Sequence, residues 1–254
     1  ANQIAHFYLS LGAKKGDVVA VMIENRPELI ASVIGLAKLG VTSALVNTSQ
    51  VGKVLAHSIN LVKPIALIVG EECGEAVNEI RNDLNISGER LHWFADQNTQ
   101  TDPGQAPEGF VNLAEKIDLA PKFNPPTTHS VQGKDGLFYI YTSGTTGLPK
   151  AVIFTNGRWT LAYGTYGHVL NLHKDDVMYC TLPLYHATGM VVCWCGVIAG
   201  SSTLAIRRKF STSSFWKDVK KFDASAIGYV GELCRYLMDA PPSELEKGHR
   251  VTKM

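Results

Sequence analysis

The sequence has almost no net charge. Its 24 Lys and Arg residues nearly balance 23 Asp and Glu residues, and the formal net charge is +1 at pH 7. A balanced chain produces no long-range field that would favour nucleic acid or an acidic partner. Any affinity for a phosphate group must therefore come from a local site. A hydrophobic content of 45% over 254 residues is enough for a sizeable core in one or two domains.

The five cysteines lack the spacing of a metal site or a redox pair. The sequence contains no CxxC pair and no cluster of His and Cys at metal-ligand spacing. Their odd number indicates a reducing, intracellular compartment. Cys193 and Cys195 stand in an apolar run and are interpreted as small core residues. The others are Cys73, Cys180 and Cys234.

The sequence also has no clear signal peptide or membrane span. Residues 1–11 are amphipathic and lack a charged leading region. No Asp, Glu, Lys or Arg occurs in residues 177–206, but Pro183 and His186 interrupt that stretch. Its dense apolar part, residues 190–200, is about 11 residues long, against the roughly 20 that a helical span requires. A buried helix is therefore predicted there.

Helical and strand patterns alternate along the chain. An apolar stripe of Ile4, Phe7, Tyr8 and Leu11 predicts a first helix that ends at Gly12. Further helices are predicted at residues 27–39, 54–62, 158–170, 189–198, 213–222 and 231–238, and strands at residues 18–22, 43–47, 65–69, 177–181, 203–206 and 226–229. The early strands are apolar on both faces, which is typical of parallel sheets covered by helices. The alternation therefore predicts an α/β fold.

Two polar stretches, residues 96–109 and 121–135, are candidate boundaries. The second is favoured because Pro125, Pro126 and the polar run that continues to Asp135 directly precede the next predicted strand. The prediction is a first α/β subdomain at residues 1–128 and a second at residues 129–254.

The most informative segment, YIYTSGTTGLPK, runs from Tyr139 to Lys150. It is a predicted strand that enters a loop of glycines and hydroxyls, in which Gly144 and Gly147 can take positive φ. The hydroxyls of Thr142, Ser143, Thr145 and Thr146 and the ammonium of Lys150 complete an anion-binding nest. A Walker A loop, and with it a P-loop NTPase, is disfavoured because Ala151 follows the lysine and residues 151–155 are predicted to form a second strand.

The motif TSGTTGLPK resembles the phosphate loop of the adenylate-forming superfamily, which includes acyl-CoA synthetases, luciferases and peptide-synthetase adenylation domains. Residues 14–28, 182–189 and 227–242 are similar to the branch of fatty-acid transport proteins and very-long-chain acyl-CoA synthetases. The resemblance covers nearly the whole chain. It implies the two α/β subdomains of the large N-terminal domain, with largely parallel sheets covered by helices.

The resemblance also implies residue roles. The residues that it assigns to nucleotide binding are Tyr139, Ile140, Tyr141, Thr142, Ser143, Gly144, Thr145, Thr146, Gly147, Leu148, Pro149 and Lys150. Catalytic roles fall on Lys150, Thr145, Thr146 and His186, and either Thr145 or Thr146 is expected to face Mg²⁺. On residue type alone, a satisfied core histidine is the favoured interpretation of His186, and the resemblance reverses that preference.

An acyl site is implied by the same resemblance. Its residues are Tyr185, His186, Gly189, Gly228, Tyr229, Gly231 and Glu232. His186 is expected near the acyl carboxylate and the α-phosphate. Gly231 and Glu232 are also consistent with an ordinary helix start, where a carboxylate in the first turn favours the helix dipole.

The implied activity is ATP-dependent activation of long- or very-long-chain fatty acids to acyl-CoA through an acyl-adenylate, with Mg²⁺ and coenzyme A and without nucleic acid. A ligase for a bile acid, carnitine or an aryl acid and a non-catalytic transport or scaffold protein are the alternatives. In the family, the Mg²⁺ glutamate, the ribose aspartate, the hinge and the catalytic lysine come later in sequence. We therefore expect an inactive internal fragment of a parent protein associated with the endoplasmic reticulum, plasma membrane or peroxisome.

Overall fold

The computed structural model describes residues 1–96, 104–142 and 147–254. The chain forms two compact units, Ala1–Arg158 and Trp159–Met254. The boundary expected between residues 128 and 129 falls inside the first unit. The physical reason is that the strand leading into the predicted phosphate loop pairs with the sheet of the N-terminal residues.

The first unit contains a seven-stranded sheet with the order β5-β4-β3-β1-β2-β6-β7. Its strands are β1 (Val18–Met22), β2 (Thr42–Leu45), β3 (Ala66–Gly70), β4 (Leu91–Phe94), β5 (Val111–Asn112), β6 (Gly136–Thr142) and β7 (Lys150–Thr155). All neighbours are parallel except β6 and β7, which form an antiparallel hairpin whose last pair is Thr142 and Lys150. The predicted order of strand, loop and strand is therefore confirmed.

Helices cover both faces of this sheet. They are α1 (Asn2–Ser10), α2 (Pro27–Ala37), α3 (Gly52–Leu61), α4 (Gly74–Glu79) and α5 (Leu113–Asp118). Pro27 begins α2 with its fixed φ, and Gly12 and Gly40 adopt positive φ just after α1 and α2. Helices α3 and α4 share an apolar cluster with alternate strand residues such as Met22 and Val69. Helix α1 packs on α2 and α5, and its residue Tyr8 pairs with His92 of β4 on the other face.

The Pro-rich stretch at residues 121–135 is not a linker between the units. It crosses the first unit and is held by contacts with α1, α2 and the turn before β1. Asn2 donates to the carbonyl oxygen of Lys122 at 2.7 Å, and Thr127 donates to that of Lys38 at 3.0 Å. The Lys15 ammonium lies 2.7 Å from the Asp135 carboxylate. The composition of this stretch is typical of a linker, and the contacts that hold it could not be predicted from composition because they join residues far apart in sequence.

The second unit contains a three-stranded parallel sheet with the order β10-β8-β9. Its strands are β8 (Val177–Cys180), β9 (Thr203–Ile206) and β10 (Ala226–Gly228), and its helices are α7 (Trp194–Gly200), α8 (Thr212–Lys221) and α9 (Gly231–Met238). The division between the units falls within α6 (Asn156–Leu170). A π-helical turn, Thr188–Cys193, precedes α7. The predicted strands and helices of this half are confirmed to within a few residues at their ends.

The uncharged stretch that raised the question of a membrane span forms part of the core of this unit. Met190, Val191, Cys193, Cys195 and Val197 are all buried, so the two cysteines are core residues as predicted. Within the described ranges, no helix combines the length and the apolar character that crossing a membrane requires.

Candidate active site

The predicted phosphate loop joins β6 to β7 in the first unit. Ser143, Gly144, Thr145 and Thr146 lie outside the described residues, so the roles expected of them stay predictions. Beyond them, Gly147 has a φ of +97°, as predicted for a glycine that shapes this loop. Lys150 is the first residue of β7, and its side chain is exposed to solvent. Its ammonium is therefore available to an anion.

The strand leading into the loop contributes mainly to the sheet. Ile140 is buried and pairs with β2 on one side and β7 on the other. Tyr139 and Tyr141 pack against the apolar cluster that contains α3. The Tyr141 hydroxyl donates to the carbonyl oxygen of Ser58 at 2.7 Å. Burial, with a smaller effect of Tyr139, raises the pKa of Tyr141, so this hydroxyl remains a donor at neutral pH.

A groove of about 600 Å³ lies beside the end of the loop. Lys150, Lys63 and His57 contribute its basic groups, and Leu148, Pro149 and Tyr139 are among its apolar lining. Nε2 of His57 lies 3.2 Å from the carbonyl oxygen of Pro149. Sequence reasoning missed His57 and Lys63, because they belong to α3 and the turn after it and no motif marks either residue.

His186 lies in the second unit, on a turn between β8 and the π-helical turn. Its backbone N–H donates to the carbonyl oxygen of Pro183 at 3.1 Å, and its own carbonyl accepts from the N–H of Met190 at 3.0 Å. The imidazole is exposed, whereas its neighbour Leu184 is fully buried. His186 is therefore not the satisfied core histidine that its residue type alone would suggest. Tyr185 is half-buried.

Two of the predicted acyl-site glycines are required by close packing. A Cβ at Gly189 would lie 2.7 Å from the carbonyl oxygen of Pro183, which no real Cβ tolerates. A Cβ at Gly228 would collide with the sulfur of Cys193. Since Gly189 and Cys193 belong to the same π-helical turn, the two glycines bring that turn against the ends of β8 and β10. Turns of this kind occur frequently at functional sites.

The segment after β10 begins α9 at Gly231. Glu232 lies in its first turn and pairs with Arg235, and that guanidinium holds the pKa of the carboxyl below its usual value. The helix-start interpretation of these residues is therefore confirmed. Tyr229 and Val230 expose 41% of their surface, and a role of this segment in acyl binding stays a prediction.

A model of the AMP-binding enzyme family matches residues 1–253. The chain belongs to this family of AMP-binding enzymes. Long-chain fatty acid transport protein 6 from Mus musculus is 38% identical over 255 residues, covering 99% of this chain and 39% of that protein. The medium/long-chain-fatty-acid–CoA ligase FadD6 from Mycobacterium tuberculosis is 34% identical over 259 residues, covering 99% of this chain and 40% of that protein. The chain thus spans about two fifths of the length of these curated relatives.

The inhibitor-bound N-terminal domain of FACL13 from Mycobacterium tuberculosis has a similar fold. The TM-score is 0.78 at 22% sequence identity, with 94% of this chain and 56% of that chain covered. The predictions of the adenylate-forming family and of a largely parallel α/β fold are confirmed. Within that fold the nucleotide-loop residues belong to the first unit, and the predicted acyl-site residues belong to the second.

Proposed function

We propose that the protein carrying this chain activates long- or very-long-chain fatty acids to their CoA thioesters through an acyl-adenylate. The observation that carries the proposal is the hairpin of β6 and β7, which presents Lys150 to solvent at the end of a TSGTTGLPK loop in an AMP-binding enzyme. Support for a fatty acyl substrate comes from the relatives named as long-chain fatty acid transport proteins and as a medium/long-chain-fatty-acid–CoA ligase.

The proposed reaction requires groups that stabilise the negative charge of the phosphates. A carboxylate oxygen of the fatty acid bonds to the α-phosphorus of ATP, and the bond to pyrophosphate breaks. The sulfur of CoA then bonds to the carbonyl carbon, AMP leaves and the thiol proton is released. Groups that position the phosphates and neutralise charge on the departing pyrophosphate lower the first barrier. We assign that role to Lys150 and to the loop hydroxyls and N–H groups.

ATP is expected to arrive as its Mg²⁺ complex, as a substrate. The described part of the chain contains no group of three or more His, Cys, Asp or Glu residues placed to hold a metal ion. Mg²⁺ is commonly bound by substrate phosphates and only one or two carboxylates. We propose that the hydroxyl of Thr145 or Thr146 would contact the ion of that complex.

Activation is proposed to be coupled to fatty-acid uptake at a membrane, because several relatives are named as transport proteins. Thioester formation makes a fatty acid more polar and larger, so activation next to a membrane would retain it inside the cell. Membrane association is thus part of the proposal for the whole protein.

The test is fatty-acid-dependent exchange of pyrophosphate into ATP by the full-length protein. We expect Lys150→Ala to slow exchange, while transfer of a supplied acyl-AMP to CoA changes less. Thr145→Ala and Thr146→Ala each remove a hydrogen bond to a charged oxygen, worth roughly 1.5–3 kcal/mol, and should slow exchange about 10- to 150-fold. Lys53→Ala, which removes an exposed ammonium from α3, is the matched control.

The same assay decides among the alternatives when the acid is varied. Exchange with C18 acids supports the proposal, and exchange only with a bile acid, carnitine or an aryl acid would replace it with another carboxylate ligase. A folded protein that exchanges with no acid would indicate a non-catalytic transport or scaffold role. If exchange in Lys150→Ala and both threonine variants matched the unaltered protein, the phosphate-loop assignment would be wrong.

A further inference from the structure

Helix α3 contacts both arms of the hairpin that carries the predicted phosphate loop. On one arm, the hydroxyl of Tyr141 donates to the carbonyl oxygen of Ser58 at 2.7 Å. On the other arm, Nε2 of His57 lies 3.2 Å from the carbonyl oxygen of Pro149. A carbonyl oxygen only accepts, so Nε2 carries the proton in this contact. Two consecutive residues of one helix thus hold the two ends of the loop.

These contacts flank the last residue pair of the hairpin, Thr142 and Lys150. Tyr141 directly precedes Thr142, and Pro149 directly precedes Lys150. The helix therefore fixes the backbone where the loop begins and where it ends. The second of these positions is one peptide unit from the lysine expected to neutralise phosphate charge.

Helix α3 is a rigid support for this purpose. Leu55 and Ile59 are fully buried in the apolar cluster beneath the sheet. The end of the loop has little packing of its own, because Leu148 exposes 46% of its surface and Lys150 is also exposed. The hydrogen bond from His57 therefore holds the end of the loop in place, which burial of the loop's own side chains does not do.

We propose that His57 is a positioning residue for the nucleotide, with Tyr141 as its counterpart on the other arm. The imidazole acts through Pro149 and Lys150 and does not touch the substrate. Fixing the peptide unit that precedes Lys150 holds this lysine where it would meet the phosphates, as preorganisation does in general. This inference rests on the proposed adenylation function, because it assigns the loop to phosphates.

The experiment uses the full-length protein and the variants His57→Leu, His57→Gln and Tyr141→Phe. His6→Leu is the matched control, since Nε2 of His6 lies 3.1 Å from the carbonyl oxygen of Phe123 in the same unit. It removes the same kind of hydrogen bond at a site outside the hairpin. Three quantities are measured: the KM for ATP in pyrophosphate exchange, the rate of CoA transfer from supplied acyl-AMP, and the thermal midpoint.

We expect His57→Leu to raise the KM for ATP about 3- to 10-fold, the effect of one neutral hydrogen bond. CoA transfer and the thermal midpoint should change no more than in His6→Leu. The side-chain amide of His57→Gln can donate to the same carbonyl and should return the KM to within about twofold of the original. Tyr141→Phe should also raise the KM for ATP.

An unchanged KM in His57→Leu would overturn the positioning role. Equal losses in both half-reactions, an equal effect of His6→Leu, or a glutamine variant no better than the leucine variant would overturn it as well. Lys150→Ala in the same assay separates the two proposals. If exchange in Lys150→Ala is as fast as in the unaltered protein, the proposed role of Lys150 in the phosphate loop fails. If exchange falls there but the KM is unchanged in His57→Leu, only the positioning role fails.

Discussion

His92 is a buried titratable residue outside the predicted sites. It lies on β4 with none of its surface exposed, and its Nδ1 is 2.6 Å from the Tyr8 hydroxyl. Burial lowers the pKa of this imidazole to about 4, against a smaller raising effect of the Glu89 carbonyl. An imidazole in an unfolded chain has a pKa near 6.5. Between these two values the unfolded chain binds the proton more readily than the folded chain.

This difference predicts how stability changes with pH. The contribution of His92 to the free energy of unfolding is fully present above about pH 6.5 and is lost as the pH falls toward 4. The free energy of unfolding should therefore decrease by about 2 kcal/mol between pH 7 and pH 5 because of this residue. Urea unfolding of the 254-residue chain at both pH values measures it. His92→Gln, which cannot titrate, should lose about 2 kcal/mol less over that interval. The same slope in the unaltered chain and in His92→Gln would contradict the prediction, and His6→Gln serves as the half-buried control.

At the scale of single elements, a substitution at the start of α9 can test whether this segment borders an acyl channel or is only an ordinary helix start. A Cβ at Gly231 would meet no atom within 4 Å, so a side chain can begin there without a clash. In Gly231→Leu of the full-length protein we expect unchanged or higher stability and a lower ratio of activity on C18 acids to activity on C8 acids. Each lost CH₂ contact costs about 0.8 kcal/mol, so losing two would lower the ratio about 15-fold.

Gly164 provides the matched control for this change. It lies on α6, is exposed, and has open space around its own Cβ position. The ratio should therefore stay constant in Gly164→Leu. A constant ratio in a folded Gly231→Leu protein would remove this segment from the acyl site.

Arg26 connects the ends of three elements in the first unit. It precedes α2, is 1% exposed, and donates to the carbonyl oxygens of Phe94 and Ala95 at 2.7 Å each. Its guanidinium also lies 3.5 Å from the carboxylate of Glu72, just after β3. The planar guanidinium satisfies both carbonyls at once, which a lysine ammonium cannot do with the same geometry.

Removing this group should leave the carbonyl oxygens of Phe94 and Ala95 without their donor and should take a positive charge away from the nearby Glu72 carboxylate. We expect Arg26→Ala to lower the free energy of unfolding by about 3–5 kcal/mol and Arg26→Lys to recover only part of that loss. Urea unfolding measures both, and the exposed ion pair of Arg235 provides a control whose removal should have no measurable effect. A loss of about 1 kcal/mol or less in Arg26→Ala, the size typical of surface pairs, would show that the network does not hold these elements together.

Local patterns in the sequence predicted most elements, and long-range contacts explain the rest. The β-branched and aromatic residues after Lys150 were enough to predict β7, and continuous apolar runs predicted β1, β3 and β8. Strand β4 was missed because it is short and contains a polar residue, His92, whose burial depends on long-range contacts such as the one with Tyr8. The contact between His57 and Pro149 joins residues 92 positions apart. Neither hydrophobic patterns nor secondary-structure propensities predict contacts between residues so far apart in sequence.

At the scale of the molecule, the chain contains only part of the length over which its relatives act. The curated relatives named above are covered to 39% and 40% of their length, whereas this chain is covered to 99%. The described residues present the exit of the phosphate loop in one unit and His186 in the other, and they hold no cluster of His, Cys, Asp or Glu suited to a metal ion. A complete adenylation reaction needs charge neutralisation and substrate positioning together.

We therefore expect the purified 254-residue chain to form no acyl-CoA from ATP, a C18 fatty acid and CoA. Binding of ATP is a separate matter, because the hairpin and its support by α3 lie entirely within the first unit. Isothermal titration with ATP and a coupled assay for AMP release measure the two properties on one sample, after circular dichroism has established that the chain is folded. The prediction is supported if the chain binds ATP but forms no acyl-CoA, and if Lys150→Ala weakens ATP binding. The nucleotide loop would then be present without other groups that the complete reaction needs. Sustained acyl-CoA formation by the isolated chain would contradict the prediction, since the groups needed for both half-reactions would then have to lie within these residues.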